Sequence, residues 1–396
     1  MSNFIHLHVH TQYSILDGAS NIKGLVDRAK SLGMRGIAIT DHGNMFGVKE
    51  FVNTIGKLNS PILADIKATE AEIKKTQDSG QNPSEELQSK LNQAKSKLFK
   101  PIIGCEVYVA SKSRHDRSDK DDRGGNHLIL LAKNKTGYHN LIKMVSYSWT
   151  QGFYYKPRID KELLRKYNEG IIVTSACLGG EIPQAIIKGN IAEAENTIHE
   201  FVDIFGNDFY LEVMLHPVKP GGHAEDTYLE QQRTNKVILD LAKKTGVKCI
   251  ATNDVHFINA EDSEAHDRLI CLNTGKDLDD PKRMRYTMQE YLKSEADMLS
   301  LFPNNPECIN NTMDIANKVE IYTLDHAPIM PDFELPEGFT DDNDYLKHLT
   351  YEGARMRWGD NLSAEITERL DFELSVIEGM GFPSYFLIVW DFLKAA

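Results

Sequence analysis

The chain has 396 residues, 41% hydrophobic and 26% charged, which fits two or three soluble domains, or one large barrel with a smaller domain. Asp and Glu outnumber Lys and Arg by 58 to 45, and the net charge of −13 argues against a surface that tracks nucleic-acid backbone as a whole, so any polyanion must be met locally. Cys105, Cys177, Cys249, Cys271 and Cys308 form no C-x-x-C pair, against a disulfide framework or a zinc ribbon, and no basic region followed by an apolar core opens the chain, so a cytoplasmic protein without membrane contact is expected.

Short β-branched runs alternate with amphipathic stretches. Strands are expected at 4–9, 36–40, 102–110, 128–132, 171–175, 209–214 and 248–252, and helices at 21–32, 48–58, 138–148, 191–205 and 226–245. Strand then helix, repeated in this way, predicts an α/β fold with a parallel sheet covered by helices, in a closed or nearly closed barrel; a doubly wound open sheet is the alternative. No G-x-G-x-x-G or G-x-x-x-x-G-K-[ST] follows a strand, which leaves a nucleotide fold without support. Residues 59–98 turn to Ala, Lys, Glu and Gln; after Asn82-Pro83-Ser84-Glu85, a helix start, Leu87, Leu91, Ala94 and Leu98 recur at heptad-like spacing. This reads as a solvated helical hairpin inserted in the barrel, and the polar stretch 113–125 as a mobile loop.

Chemistry gathers at the strand ends. In an extended strand, residues two apart face one side, so His8 and His10 can hold one metal ion between them, with His6 in phase behind. Asp17 lies in the following turn, Asp41-His42 closes "GIAITDHG", Glu106 falls inside "IIGCEVYV", Cys177 follows "IIVTSA", and Asp254 and His256 follow "KCIATNDVHF". The carboxyl ends of parallel barrel strands meet on one rim, so these residues converge there. His127 fits less neatly because it begins "HLILLA", so its strand starts earlier or the barrel is distorted at that point.

Each residue alone has a bland reading: a core thiol, a histidine bonded to a carbonyl, a capping turn at Asp41-His42. Together, five imidazoles, three carboxylates and a thiolate are too many for one tetrahedral zinc and suit two or three divalent ions, with Glu106 as the bridge. Nitrogen and oxygen donors with one sulfur suit Zn, Mn or Fe and are poor for Ca or Mg. Such a centre hydrolyses a phosphoester, with Asp254, His256 and Glu106 as its catalytic residues. Lys156 and Arg158 in "YYKPRID" would bind the phosphate, although Arg158 could equally pair with Asp160 or another carboxylate.

The motifs "FIHLHVHTQYSILDG", "GIAITDHGNMFG", "KPIIGCEVYVA", "HLILLAKN", "GFYYKPRID", "SACLGGEIPQ" and "ATNDVHF" together resemble the PHP (polymerase and histidinol phosphatase) domain, in the form found at the start of bacterial replicative DNA polymerase III alpha subunits. The resemblance implies a distorted seven-stranded β/α barrel over residues 1–285, with the 59–98 insertion, and nine metal ligands: His8, His10, Asp17, His42, Glu106, His127, Cys177, Asp254 and His256. Family members that keep the set show metal-dependent 3′ to 5′ exonuclease activity, whereas others have replaced ligands and keep the domain as a scaffold, and this sequence keeps all nine. Residues 286–396 resemble the passage leading into the polymerase palm. In a full-length polymerase the expected partners are primer-template DNA and replisome subunits (a proofreading exonuclease, sliding clamp and clamp loader), and Mg would serve a polymerase site whose paired aspartates are absent here. The D-x-D matches Asp119/Asp121, Asp277/Asp279 and Asp342/Asp344 lie in polar stretches and read as chance. The apolar helix expected at 384–396 needs packing partners around most of its circumference but is too short to span a membrane, so the chain reads as the N-terminal part of a longer enzyme.

Overall fold

A computed structural model describes residues 2–118, 122–222, 224–327 and 329–396, which leaves Asp119 and Asp121 outside the described residues. The strands are β1 (Gly36–Ile39), β2 (Lys100–Val109), β3 (Asn126–Ala132), β4 (Phe153–Tyr154), β5 (Lys156–Ile159), β6 (Ile171–Thr174), β7 (Phe209–Val213) and β8 (Cys249–Ala251). They pair in the order β1-β2-β3-β6-β7-β8, and the β4-β5 hairpin joins the far half of β2 at Tyr108 and Val109. Residues 4–10 close the ring. On one side the Ala38 and Thr40 amides donate to the His6 and Val9 carbonyls; on the other the His10 amide donates to the Val255 carbonyl and the Val255 amide to the His8 carbonyl. The Val9 amide donates to the Thr40 hydroxyl, not to a carbonyl, so this stretch is extended chain with an irregular ladder and not the regular strand expected at 4–9. With it, the wall is a distorted seven-stranded β/α barrel.

The sheet is not wholly parallel, because β3 runs antiparallel to both β2 and β6. Alternate side chains fill the interior. Ile102, Ile129, Leu131, Ile172, Tyr210 and Ile250 form its apolar layer, joined by Ile5 and Leu7 and closed by Ile315, Ala316 and Val319 from and just after the helix Pro306–Lys318. Two or four residues further along the same strand faces come Glu106, His127, Thr174, Glu212 and Thr252, which are polar. The barrel is thus greasy at one end and ionisable at the other.

The helices Ile22–Ser31, Lys135–Thr150, Ile191–Phe205 and Glu225–Thr245 form near the expected positions and turn their apolar faces to the larger outer core. The helix expected to stop at 58 runs on as Val48–Asp78, through Pro61, and returns as Glu85–Ser96, capped by the Ser84 hydroxyl on the Leu87 amide. Asn59 marks where the hairpin leaves the body: its buried carboxamide pairs with both the amide and the carbonyl of Phe99, at 2.9 and 2.8 Å. The first compact unit extends to Leu324, beyond the boundary expected at 285, because the helix Pro306–Lys318 plugs the barrel. The second unit, Asp325–Ala396, carries the helices Asp342–Trp358, Ala364–Gly379 and Pro383–Ala395 and leaves Trp358, Phe372 and Phe392 exposed. Among the described residues no single helix is long and apolar enough to cross a membrane.

Candidate metal centre

All nine expected ligands come to the polar rim. β1 stops at Ile39, and His42, beyond its end, lies beside Glu106, since β2 outruns its neighbour; a residue inside a strand therefore sits level with residues past the ends of others. His127 begins its strand and still reaches the same rim because β3 is reversed, with His127 opposite Tyr108. Cys177 follows Ala176 at φ 60°, and Asp254 itself has φ 45°, a left-handed conformation that costs about 1 kcal/mol or more outside glycine and persists where the surroundings hold it. Gly43 (φ 60°) turns the chain just after His42, where a Cβ would stand 2.7 Å from the Pro157 ring.

Three groups form, each with its donor atoms within 4.8 Å of one another: His8, His10, Glu106 and Asp254; His10, His42 and His256; and Glu106, His127 and Cys177. Glu106 is shared. Its Oε2 lies 2.8 Å from His8 Nε2 and its Oε1 lies 2.8 and 2.9 Å from Nδ1 of His42 and of His127. Asp254 Oδ1 faces Nε2 of His8 and His10 at 3.1 and 3.2 Å, Asp17 Oδ1 faces His42 Nε2 at 3.3 Å, and Cys177 Sγ is 3.5 Å from His127 Nδ1.

These contacts are close but not all are bonds. Four inward-facing buried atoms have no hydrogen-bond partner: His10 Nε2, Asp17 Oδ1, His42 Nε2 and Asp254 Oδ1. Leaving such atoms unpaired costs on the order of 1–3 kcal/mol each, so several gathered in one place fit divalent cations between them. The electrostatics agree. Burial alone would raise the Glu106 and Asp254 carboxyls, yet His127 and His42 around the first, and His8 and His256 around the second, hold both well below the ordinary range. Burial opposes a charged His42, but Glu106 and Asp17 lift it to about 10; burial and the neighbouring His10 push His256 down to about 4. The rim is a nest of negative charge that asks for cations, and the soft thiol, imidazoles and carboxylates suit a borderline metal better than Ca or Mg.

Supporting groups orient the ligands, and sequence reading missed them. Glu212, buried in β7, accepts from or shares a proton with His8 Nδ1 at 2.7 Å and is itself held by the Thr174 and Thr252 hydroxyls, which turns His8 Nε2 toward Glu106. The available signal was a lone acid in the apolar run Phe209–Val213. Ser14 bonds His10 Nδ1 and donates to Asp41, which also accepts from Thr11. The Tyr286 hydroxyl lies 3.0 Å from Asp17 Oδ2 and 3.1 Å from His256 Nε2, and nothing in its polar surroundings in the sequence marked it.

Three expectations need correction. His6 is not behind the pair: Ile5 and Leu7 face the barrel interior, so His6 turns outward and shares its Nε2 with the Lys293 carbonyl, where burial lowers it to about 4. Arg158 cannot meet a phosphate. It is 0% exposed, and its guanidinium is spent on Asp122, the Asp116 and Arg114 carbonyls and the Gly152 carbonyl. Its carboxylate partner is Asp122; Asp160 pairs with Arg114. Both arginines pin the described parts of the 113–125 stretch, which sequence reading left as a mobile loop. Lys156 stays at the rim, with its Nζ 5.1 Å from the centre of the Tyr108 ring, which packs beside His42 and His127.

A β/α barrel with candidate metal ligands gathered around one shared carboxylate at its rim defines the class. The sequence profile of the PHP domain matches residues 6–216, just over half of the chain, and the chain belongs to the PHP domain family. A second profile, the bacterial DNA polymerase III alpha NTPase domain, matches residues 344–396. Among similar proteins, DNA polymerase III subunit alpha of Borreliella burgdorferi is 41% identical over 100% of this chain and 30% of its own length. The same subunit of Treponema pallidum is 39% identical over 100% of this chain and 30% of its own length, and that of Thermus aquaticus 33% identical over 99% and 33%. The chain therefore spans about a third of these relatives or less. A crystal structure from Bifidobacterium adolescentis, assigned as a metal-dependent phosphoesterase, aligns over 64% of this chain and 87% of its own at 12% identity and TM-score 0.31, too faint a likeness to support more.

Arg158→Ala should cost about 3 kcal/mol or more in chemical denaturation, because Asp122 would keep a buried charge without its partner. Amide exchange along the described parts of 111–125 should rise with it. Arg158→Lys should restore little, since an ammonium cannot reach the same acceptors. Unchanged stability and exchange would show that the buried fork does not hold the loop.

Proposed function

We propose that the rim holds two or three divalent cations, Zn, Mn or Fe, and hydrolyses phosphodiesters at DNA 3′ ends, as a proofreading-type 3′ to 5′ exonuclease. The observation that carries this reading is the set of unpartnered, buried donor atoms gathered around a carboxylate with a different set of imidazoles on each oxygen. His8, His10, Asp17, His42, Glu106, His127, Cys177, Asp254 and His256 are the ligands. Divalent ions held by these residues would supply a water of lowered pKa and neutralise charge on a phosphoryl group.

The protein's own part is orientation. Glu212 fixes the His8 ring, Ser14 the His10 ring, and the Asp254 carbonyl the His256 ring through Nδ1 at 2.8 Å. Asp254 Oδ1 stands 3.1 and 3.2 Å from Nε2 of His8 and His10 without a hydrogen bond to either, and Glu106 has imidazoles on both oxygens, so with His256 these are the residues on which the reaction depends. Lys156 supplies positive charge at the mouth.

The whole-protein context is the DNA-directed DNA polymerase of the relatives, cytoplasmic, working with DNA, a separate exonuclease, a sliding clamp and a clamp loader. Its magnesium-holding aspartates are not these: Asp342 and Asp344 lie in the first turn of a helix whose cap is Asp341. A silent scaffold that docks a separate exonuclease is the competing reading, since bound metal also stabilises a fold.

On 3′-labelled primed DNA with Mn or Zn, the chain should release nucleotides from the 3′ end, and Asp254→Ala should lower the rate at least a hundredfold. A chain that carries its metals yet releases nothing would leave the scaffold reading standing. Glu212→Ala, which touches no expected ligand but His8, should weaken metal retention about 10- to 100-fold in chelator competition. Equal retention by both proteins would remove Glu212 from the account.

A further inference from the structure

Beside the metal centre the protein displays aromatic rings that its core does not need. Phe153 in β4 is 45% exposed and stacks on Trp149, also exposed, at 5.5 Å and 21°. Trp149 donates its Nε1–H to the carbonyl of Gly43, the residue after His42. Tyr155, at the turn between β4 and β5, is 65% exposed and sits at φ 61°. An aromatic residue there is strained by about 1 kcal/mol or more where glycine would be at ease, so a bulky ring is kept at some cost to stability. Two cations stand among them: the Arg123 guanidinium lies 4.9 Å over Tyr155, and the Lys156 ammonium 5.1 Å over the buried ring of Tyr108, whose centre is 5.2 Å from that of His127.

Exposed flat rings with cations between them, leading to a candidate phosphodiesterase centre, match what a single strand offers: unpaired bases with two faces free, joined by phosphates. A duplex hides those faces. We propose that the β4-β5 hairpin and Trp149 form a stacking platform for single-stranded DNA, which holds unpaired bases behind the 3′ terminus. The proposal rests on the phosphodiesterase reading above and names its substrate as frayed, not paired, 3′ ends. Local charge also answers the global problem: in a chain of net charge −13, Arg123 and Lys156 place positive charge beside these rings.

The test uses this chain with a fluorescent oligothymidylate of about 12 nucleotides, whose 3′-terminal linkages are phosphorothioates so that binding is read without cleavage. Anisotropy should show the single strand bound more tightly than the same sequence in duplex. Phe153→Ala and Tyr155→Gly should each weaken single-strand binding roughly tenfold. Tyr155→Gly should melt no lower than the parent, an outcome that a merely structural ring would not give. Hydrolysis of methyl p-nitrophenyl phosphate, a diester without bases, should be unchanged in both. Unaltered affinity in the double variant, or equal loss for duplex, overturns the platform even if the small diester is cleaved. Weakened binding in a chain that never cleaves the small diester keeps the platform and removes the hydrolytic reading.

Discussion

The Glu106 carboxylate is 1% exposed and ringed by imidazoles, with His8 on one oxygen and His42 and His127 on the other. A charge so placed is stable only if opposite charge is brought to it, and the rim of the barrel is organised to do so. Asp17 and Asp254 add further negative charge within reach of the same rings. With protons alone the imidazoles must share the compensation unequally, which is why His42 is drawn up while His256, crowded by His10, is driven down. Divalent ions would relieve both conditions at once.

The rest of the barrel is apolar, which makes that charge costly but fixes where its partners stand. The interior layer from Ile102 to Ile250, plugged by Ile315 and Ala316, fixes strand register, and register fixes which residues reach the rim. The Thr174 and Thr252 hydroxyls mark the border between the two layers. They satisfy Glu212, which in turn fixes His8, so a buried acid one layer below the centre is linked to the ligand above.

Much of this was legible in the residues. Six of the seven expected strands fell within a few positions of those observed, while 4–9 formed irregular extended chain and β4 and β5 went unread; the residues expected as ligands met because a residue at the carboxyl end of a parallel barrel strand has few other places to be. His127 was the informative misfit. It violated the strand-end rule only because β3 is reversed, and strand direction depends on pairing partners that a local sequence window does not contain. Arg158 took the second of its two readings, pairing with a carboxylate, for a similar reason: a rim position in a basic motif says nothing about a distant Asp122 that claims the side chain. His6 failed because strict alternation was assumed through a stretch where the Val9 amide leaves the ladder for a hydroxyl. Glu212 and Tyr286 act through other residues, and such roles have no spacing of their own.

The most direct measurement is anomalous diffraction from crystals of the chain grown with Mn or Zn, with data on either side of the metal edge. The account predicts at least two anomalous peaks, both about 2.0–2.3 Å from oxygens of Glu106, one toward His8, His10 and Asp254 and another toward His127 and Cys177. Peaks elsewhere, or none beside a Glu106 that keeps its present contacts, would contradict it.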